Sequence, residues 1–202
     1  MQLRVQRVRD GALARNLVLP SVFVIAILAS NYLLAALPNV KLFDLLVFAA
    51  GYSLGVRRGA TVAITAWYFY GQTNPFGPAQ ASLLVTLMVS ETAYAILGGL
   101  VRRIMPPSSL SLGSAWSSVL LVSAALIATS GYDLATNVYT GYFWASIAGS
   151  QDYSRWVWTA VSNPGALFFM LVHVGGNAVM FPVFVPLVVK GVEGAKGRWG
   201  LL

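Results

Sequence analysis

The chain has 202 residues, 57% of them hydrophobic and 9% charged, and its mean hydropathy is +0.72. A water-facing surface normally carries roughly 25% charged residues, so the composition argues against a soluble enzyme, a secreted scaffold and a disordered tail. Cysteine is absent and His173 is the one histidine, which excludes disulfides, thiolate catalysis, thiolate-ligated metals and any site built on two imidazoles.

Residues 1–15 hold Arg4, Arg7, Arg9 and Arg15 ahead of an apolar run. No small-residue cleavage site follows, so they read as a basic cytoplasmic segment before a retained helix. Six apolar segments then follow, at 16–37, 42–56, 59–71, 81–101, 114–134 and 165–189. The second and third are short, but the pair Arg57-Arg58 separates them. Two arginines at a bilayer centre would cost several kcal/mol, so two short helices with a tight turn between them are expected.

The expected architecture is all-α: a polytopic six-transmembrane-helix bundle over 16–190, both termini cytoplasmic, with a cytoplasmic tail at 191–202. The basic residues fit it. Eleven of the thirteen fall on the inner segments, leaving Lys41 and Arg155 outside, as the positive-inside rule requires. The net charge of +7 is thereby explained without a nucleic-acid partner. The connections are too small for an ATP site, and no phosphate-binding loop is present.

Pro38-Asn39 marks the outer end of the first span, and Asn74-Pro75-Phe76-Gly77-Pro78 is a rigid turn signal. Gly51, Gly55 and Gly59 repeat every four residues, a spacing that lets helices pack closely. Pro182 and Pro186 should kink the last span. Residues 135–164 read as a long outer connection rich in aromatics, among them Tyr139, Tyr142, Phe143, Trp144, Tyr153, Trp156 and Trp158. These form either an interfacial belt or the wall of a pocket for a flat ligand.

Polar groups at membrane depth are costly and therefore informative. Glu91 lies near the middle of the fourth span, Asp133 at the outer end of the fifth, and Asn137 one turn beyond it. His173 and Asn177 are four apart and share one helical face. Gly175 and Gly176 between them admit close approach of a backbone or ligand. The group suggests a polar cavity opening outward between helices four, five and six. The structural alternative is that Glu91 and His173 pair to hold the bundle.

Several runs resemble the substrate-binding S components of energy-coupling factor transporters. These are 38–42, Asp44 to Ala50, Gly51-Tyr52-Ser53-Leu54-Gly55 with Gly59, Tyr70-Gly71 with Asn74-Pro75-x-Gly77, Tyr132-Asp133-Leu134-x-Thr136-Asn137, and His173-x-x-x-Asn177-x-x-x-Phe181. The resemblance spans about 17–188. It implies a multi-pass protein of a prokaryotic cell membrane that captures a vitamin-like ligand outside, with no cofactor and no enzymatic activity. Its implied partners are a membrane coupling subunit and two cytoplasmic ATPase subunits. It further implies a ligand site at Asn39, Glu91, Asp133, Asn137, His173 and Asn177, with Trp144 as a stacking lid. Many members dock through an Ala-x-x-x-Ala motif in the first helix; here Ala26-x-x-x-Ser30 stands nearest. A flavin, pterin, thiamine or corrinoid would each suit an aromatic outer region. A metal cargo suits it less, because nickel and cobalt sites favour several nitrogen ligands. The competing readings are a stand-alone secondary transporter relaying protons through Glu91 and His173, an intramembrane enzyme, and a membrane scaffold.

Overall fold

The computed structural model describes residues 11, 13–37 and 40–198, with the backbone alone at 14 and 15. Asn39 lies outside the described residues, as does nearly all of 1–12. Every described element is a helix. A π-helical turn, Ala14–Val18, leads into α1 (Leu19–Leu33). It is followed by α2 (Phe43–Leu54), α3 (Val56–Thr73), α4 (Ala81–Ile104), α5 (Ala115–Ile147), α6 (Tyr153–Ser162) and α7 (Pro164–Arg198).

Among the described residues, four stretches are long and apolar enough to cross a membrane: Asn16–Leu33, Ala81–Ile104, Ala115–Ile147 and Pro164–Arg198. The short α2 is different in kind. All twelve of its residues are buried, as expected of a helix that is apolar all round. It packs against α1, α3, α4 and α7 and forms the centre of the bundle.

Glycine permits the α2–α4 contact. A Cβ at Gly51 would come within 2.1 Å of the Ala95 carbonyl oxygen, and one at Gly98 within 2.1 Å of the Phe48 oxygen. At Gly59 it would meet the Gly51 Cα at 2.6 Å. The expected close packing thus holds for Gly51 and Gly59. Gly55 does something else: its φ of 90° makes the turn from α2 into α3, and nothing lies within 4 Å of it.

The turn expected at 74–78 is present. Asn74 Oδ1 accepts from the Phe76 amide at 3.0 Å, and its Nδ2 donates to the Gly77 carbonyl at 2.5 Å. The stretch 135–164, expected as a connection, is mostly helical. Helix α5 continues to Ile147, and α6 packs so tightly that a Cβ on Gly141 would sit 2.4 Å from the Val157 Cα. At 33 residues α5 is about 50 Å long, longer than the ~30 Å hydrocarbon core. Periodicity could not mark its end, because no proline interrupts it and Gly131 and Gly141 both lie within the continuous helix. Asp152 caps α6, and the Arg155 amide and the Ser154 hydroxyl hold its carboxyl below the usual carboxylate range.

Helix α7 runs unbroken through Pro182 and Pro186 and past residue 190 to Arg198. The two prolines withdraw the amides that would serve the Ala178 and Pro182 carbonyls, yet the helix continues. Its last turns are tied to α2 and α4. Arg102 Nη1 donates to the Tyr52 carbonyl and to Glu193 Oε1, both at 3.1 Å. Lys196, 7% exposed, donates to Glu193 at 2.7 Å and to the Ser53 carbonyl. Residues 191–198 therefore belong to the packed bundle. Truncation after 190 leaves Arg102 without Glu193 and the Ser53 carbonyl without Lys196. It should lower stability by about 2 kcal/mol, read as an earlier thermal transition in detergent; an unchanged transition contradicts this role.

Candidate functional site

The site begins with Asp44, in the first turn of α2, where the helix dipole favours a negative charge. His173 on α7 bridges two carboxylates: its Nε2 lies 2.6 Å from Asp44 Oδ2 and its Nδ1 2.9 Å from Asp133 Oδ1 on α5. Each contact needs a hydrogen, whereas a neutral imidazole carries one and ionised carboxylates none. The cluster thus holds a second proton, on the ring or on a carboxyl group. With both nitrogens committed, His173 offers no free lone pair to a metal.

The spacing of His173 and Asn177 now has its explanation. Both reach the same Asp44 oxygen, since Asn177 Nδ2 donates to Oδ2 at 2.7 Å. Asn177 Nδ2 also donates to Thr129 Oγ1 at 2.9 Å, and the Tyr94 hydroxyl donates to that oxygen at 3.0 Å. Four helices (α2, α4, α5 and α7) thus converge on one polar network inside an apolar core. Glu91 is fully buried on α4, but its Oε2 accepts from Trp67 Nε1 at 3.1 Å, and it makes no hydrogen bond to His173. The Glu91–His173 pair that the sequence offered as a structural alternative is absent, and His173 lies between two aspartates instead.

A cavity of about 280 Å³ lies over this network. Lys41, Asp44, Trp67, Asp133, Asn137 and His173 line it, with Phe43, Tyr132 and Phe169 among the apolar walls. Phe43 stacks on Trp67 with ring centroids 4.9 Å apart, and Lys41 Nζ sits 5.9 Å from the Trp67 ring centroid. The Tyr132 ring meets His173 edge-on at 5.9 Å. Such a mixture of aromatic walls and a few fixed polar groups is typical of a small-molecule site.

Of the expected site residues, Asp133, Asn137 and His173 line the cavity. Asn177 lies beneath it in the same network, and Glu91 is tied to the Trp67 wall. Trp144 does not line it. That side chain is 38% exposed, three residues from the end of α5. Trp144→Ala is therefore expected to leave ligand affinity within about twofold of wild type, whereas Asn137→Ala should lower it about tenfold through a lost hydrogen bond. Equal losses measured by isothermal titration would contradict the cavity's boundary.

Two further expectations change. Gly175 has nothing within 4 Å of where a Cβ would stand, so no described backbone makes the close approach that its lack of a side chain permits. Ser30 faces inward and donates to the Ile27 carbonyl at 3.0 Å, because the side of α1 that packs on the bundle carries Phe23, Ile27 and Ser30. The exposed side of α1 presents Val22, Ile25 and Leu33 instead, and Ala26 is half-buried.

Sequence reasoning did not single out Asp44 or Trp67 as site residues. Asp44 carried a readable signal, as the one acid within the apolar run 42–56. Trp67 carried none, since its role depends on Glu91 lying opposite it. Compared with known proteins, the chain matches no family model, no curated protein and no solved structure.

Proposed function

We propose that the chain is a substrate-capturing membrane subunit of the energy-coupling factor type. It binds a vitamin or similar small organic micronutrient on the outer side, in the cavity over Asp44, His173 and Asp133. The observation that carries this reading is a buried, multi-helix polar network that forms the floor of a partly aromatic cavity. A network that served only to hold the bundle would need neither the cavity nor Lys41 at its edge.

In this reading the bundle spans the membrane six times, with both termini cytoplasmic. Helices α2 and α3 complete the count as short spans joined at the Gly55 turn, with Arg57 and Arg58 at the inner surface. Helix α2 is about 18 Å long, and its burial among its neighbours shields it from lipid. The Arg102–Glu193–Lys196 cluster then faces the cytoplasm. The partners are a coupling subunit in the membrane and two ATPase subunits, because the sequence carries no phosphate-binding loop. Docking falls to the exposed face of α1 near Ala26.

Reconstitution tests the division of labour. Uptake of the bound ligand into liposomes is expected to need the coupling subunit, both ATPases and ATP. Uptake by the chain alone would instead establish a secondary transporter, with protons passing through Glu91 and the His173 cluster.

A further inference from the structure

Asn31, on the last turns of α1, is 2% exposed, and neither Oδ1 nor Nδ2 has a hydrogen-bond partner among the described residues. A buried carboxamide left unpaired is costly, so its presence calls for a reason. Asn31 borders a second cavity of about 690 Å³, beside Tyr70 and Asn74. Lys41, Trp67, Leu87 and Phe169 line both this cavity and the one over His173, so the two adjoin across a common wall. In the first cavity Asp133 repeats the pattern: Oδ1 is held by His173, while Oδ2 is buried without a partner.

We infer that the two cavities take one ligand, an amino-substituted nitrogen heterocycle, with Asn31 and Asp133 Oδ2 hydrogen-bonding its polar edges. The inference rests on the capture function proposed above and specifies its substrate class. A carboxylate oxygen only accepts, so the group it meets must carry an N–H or O–H. A carboxamide both donates and accepts, which matches the adjacent amino group and ring nitrogen of an aminopyrimidine or aminopterin edge. Trp67, common to both cavities, forms part of an aromatic wall with Phe43 and Tyr70 against which a flat ring packs. Such a site rejects an analogue lacking the matching groups, because its own polar atoms then stay unpaired.

The test uses two matched pairs of probes, followed by quenching of tryptophan fluorescence in detergent. One pair is thiamine and its N-benzyl thiazolium analogue, in which phenyl replaces the aminopyrimidine. The other is pterin and lumazine, which differ by an amino group against a carbonyl. In at least one pair the wild type is expected to prefer the amino compound by about tenfold or more. Asn31→Leu should abolish that preference while leaving the thermal transition unchanged or higher, since a hydrophobe then replaces an unpaired polar group. Asp133→Asn should weaken the amino compound as well. A preference that survives Asn31→Leu overturns the inference, and so does a fall in stability that accompanies the loss of binding. If no probe binds up to roughly 1 mM while the purified protein carries a different ligand, this inference fails and the capture function stands. If no probe binds and the protein carries nothing, both fail.

Discussion

Asp44→Ala is expected to cost the protein its ligand and about 3–5 kcal/mol of stability. The Asp44 carboxylate is buried, and its Oδ2 takes contacts from both His173 and Asn177. Removing it leaves an imidazole and a carboxamide facing a void, with Asp133 the only remaining acid on the ring. Asp44→Asn separates the two effects. It keeps the shape and one accepting oxygen, so the loss of stability should fall to about 1–3 kcal/mol. It removes the charge that balances the cluster's extra proton, so ligand affinity should still drop by tenfold or more. Thermal denaturation in detergent reads the first quantity and titration calorimetry the second. An Asp44→Asn variant with wild-type affinity would remove the network from the binding site and leave it a structural core.

The second large effect concerns the helix seam. Gly51→Ala and Gly98→Ala each drive a methyl group into a backbone carbonyl on the facing helix, at 2.1 Å before any relaxation. Backbone atoms cannot turn aside as a side chain can, so α2 and α4 must separate along their contact. Overpacking of this kind costs about 1–3 kcal/mol or more. Here it falls on the central helix, which also carries Asp44, so loss of monodisperse protein on size-exclusion chromatography is expected. Gly131→Ala and Gly175→Ala supply the contrast. Both positions lie inside helices with nothing within 4 Å of the new methyl group, and alanine there should be neutral or stabilising by up to about 1 kcal/mol. If all four variants behave alike, the seam is not what fixes α2.

Much of the fold was legible because apolar periodicity and breakers mark most of its ends. The Arg57-Arg58 pair signalled two helices, although the break falls at Gly55 and both arginines lie in the first turn of α3; the Asn74 turn separated α3 from α4, and the spacing of His173 and Asn177 gave their common face. The extension of α5 through Trp144 was not legible, because a helix that outruns the hydrocarbon core looks polar and aromatic, like a connection. Nor was the place of Lys196. Near the end of the chain it reads as one more solvated charge, and only the fold brings it beneath the Ser53 carbonyl. Within the site, the residues on α5 and α7 were found because polar groups stand out in long apolar runs. Asp44 stood out equally, as the one acid in the run 42–56, but only the fold brings it against His173 and Asn177. Asn31 lies at a helix end as well, and its isolation becomes visible only once every possible partner has a position.

Mass spectrometry of the small molecules released from detergent-purified protein tests the capture function most directly, with wild type and Asp44→Asn prepared in parallel. The expected result is a single organic compound in near-stoichiometric amount from the wild type and little or none from the variant. An identical set of released molecules from both proteins would contradict ligand capture at the Asp44–His173–Asp133 cavity.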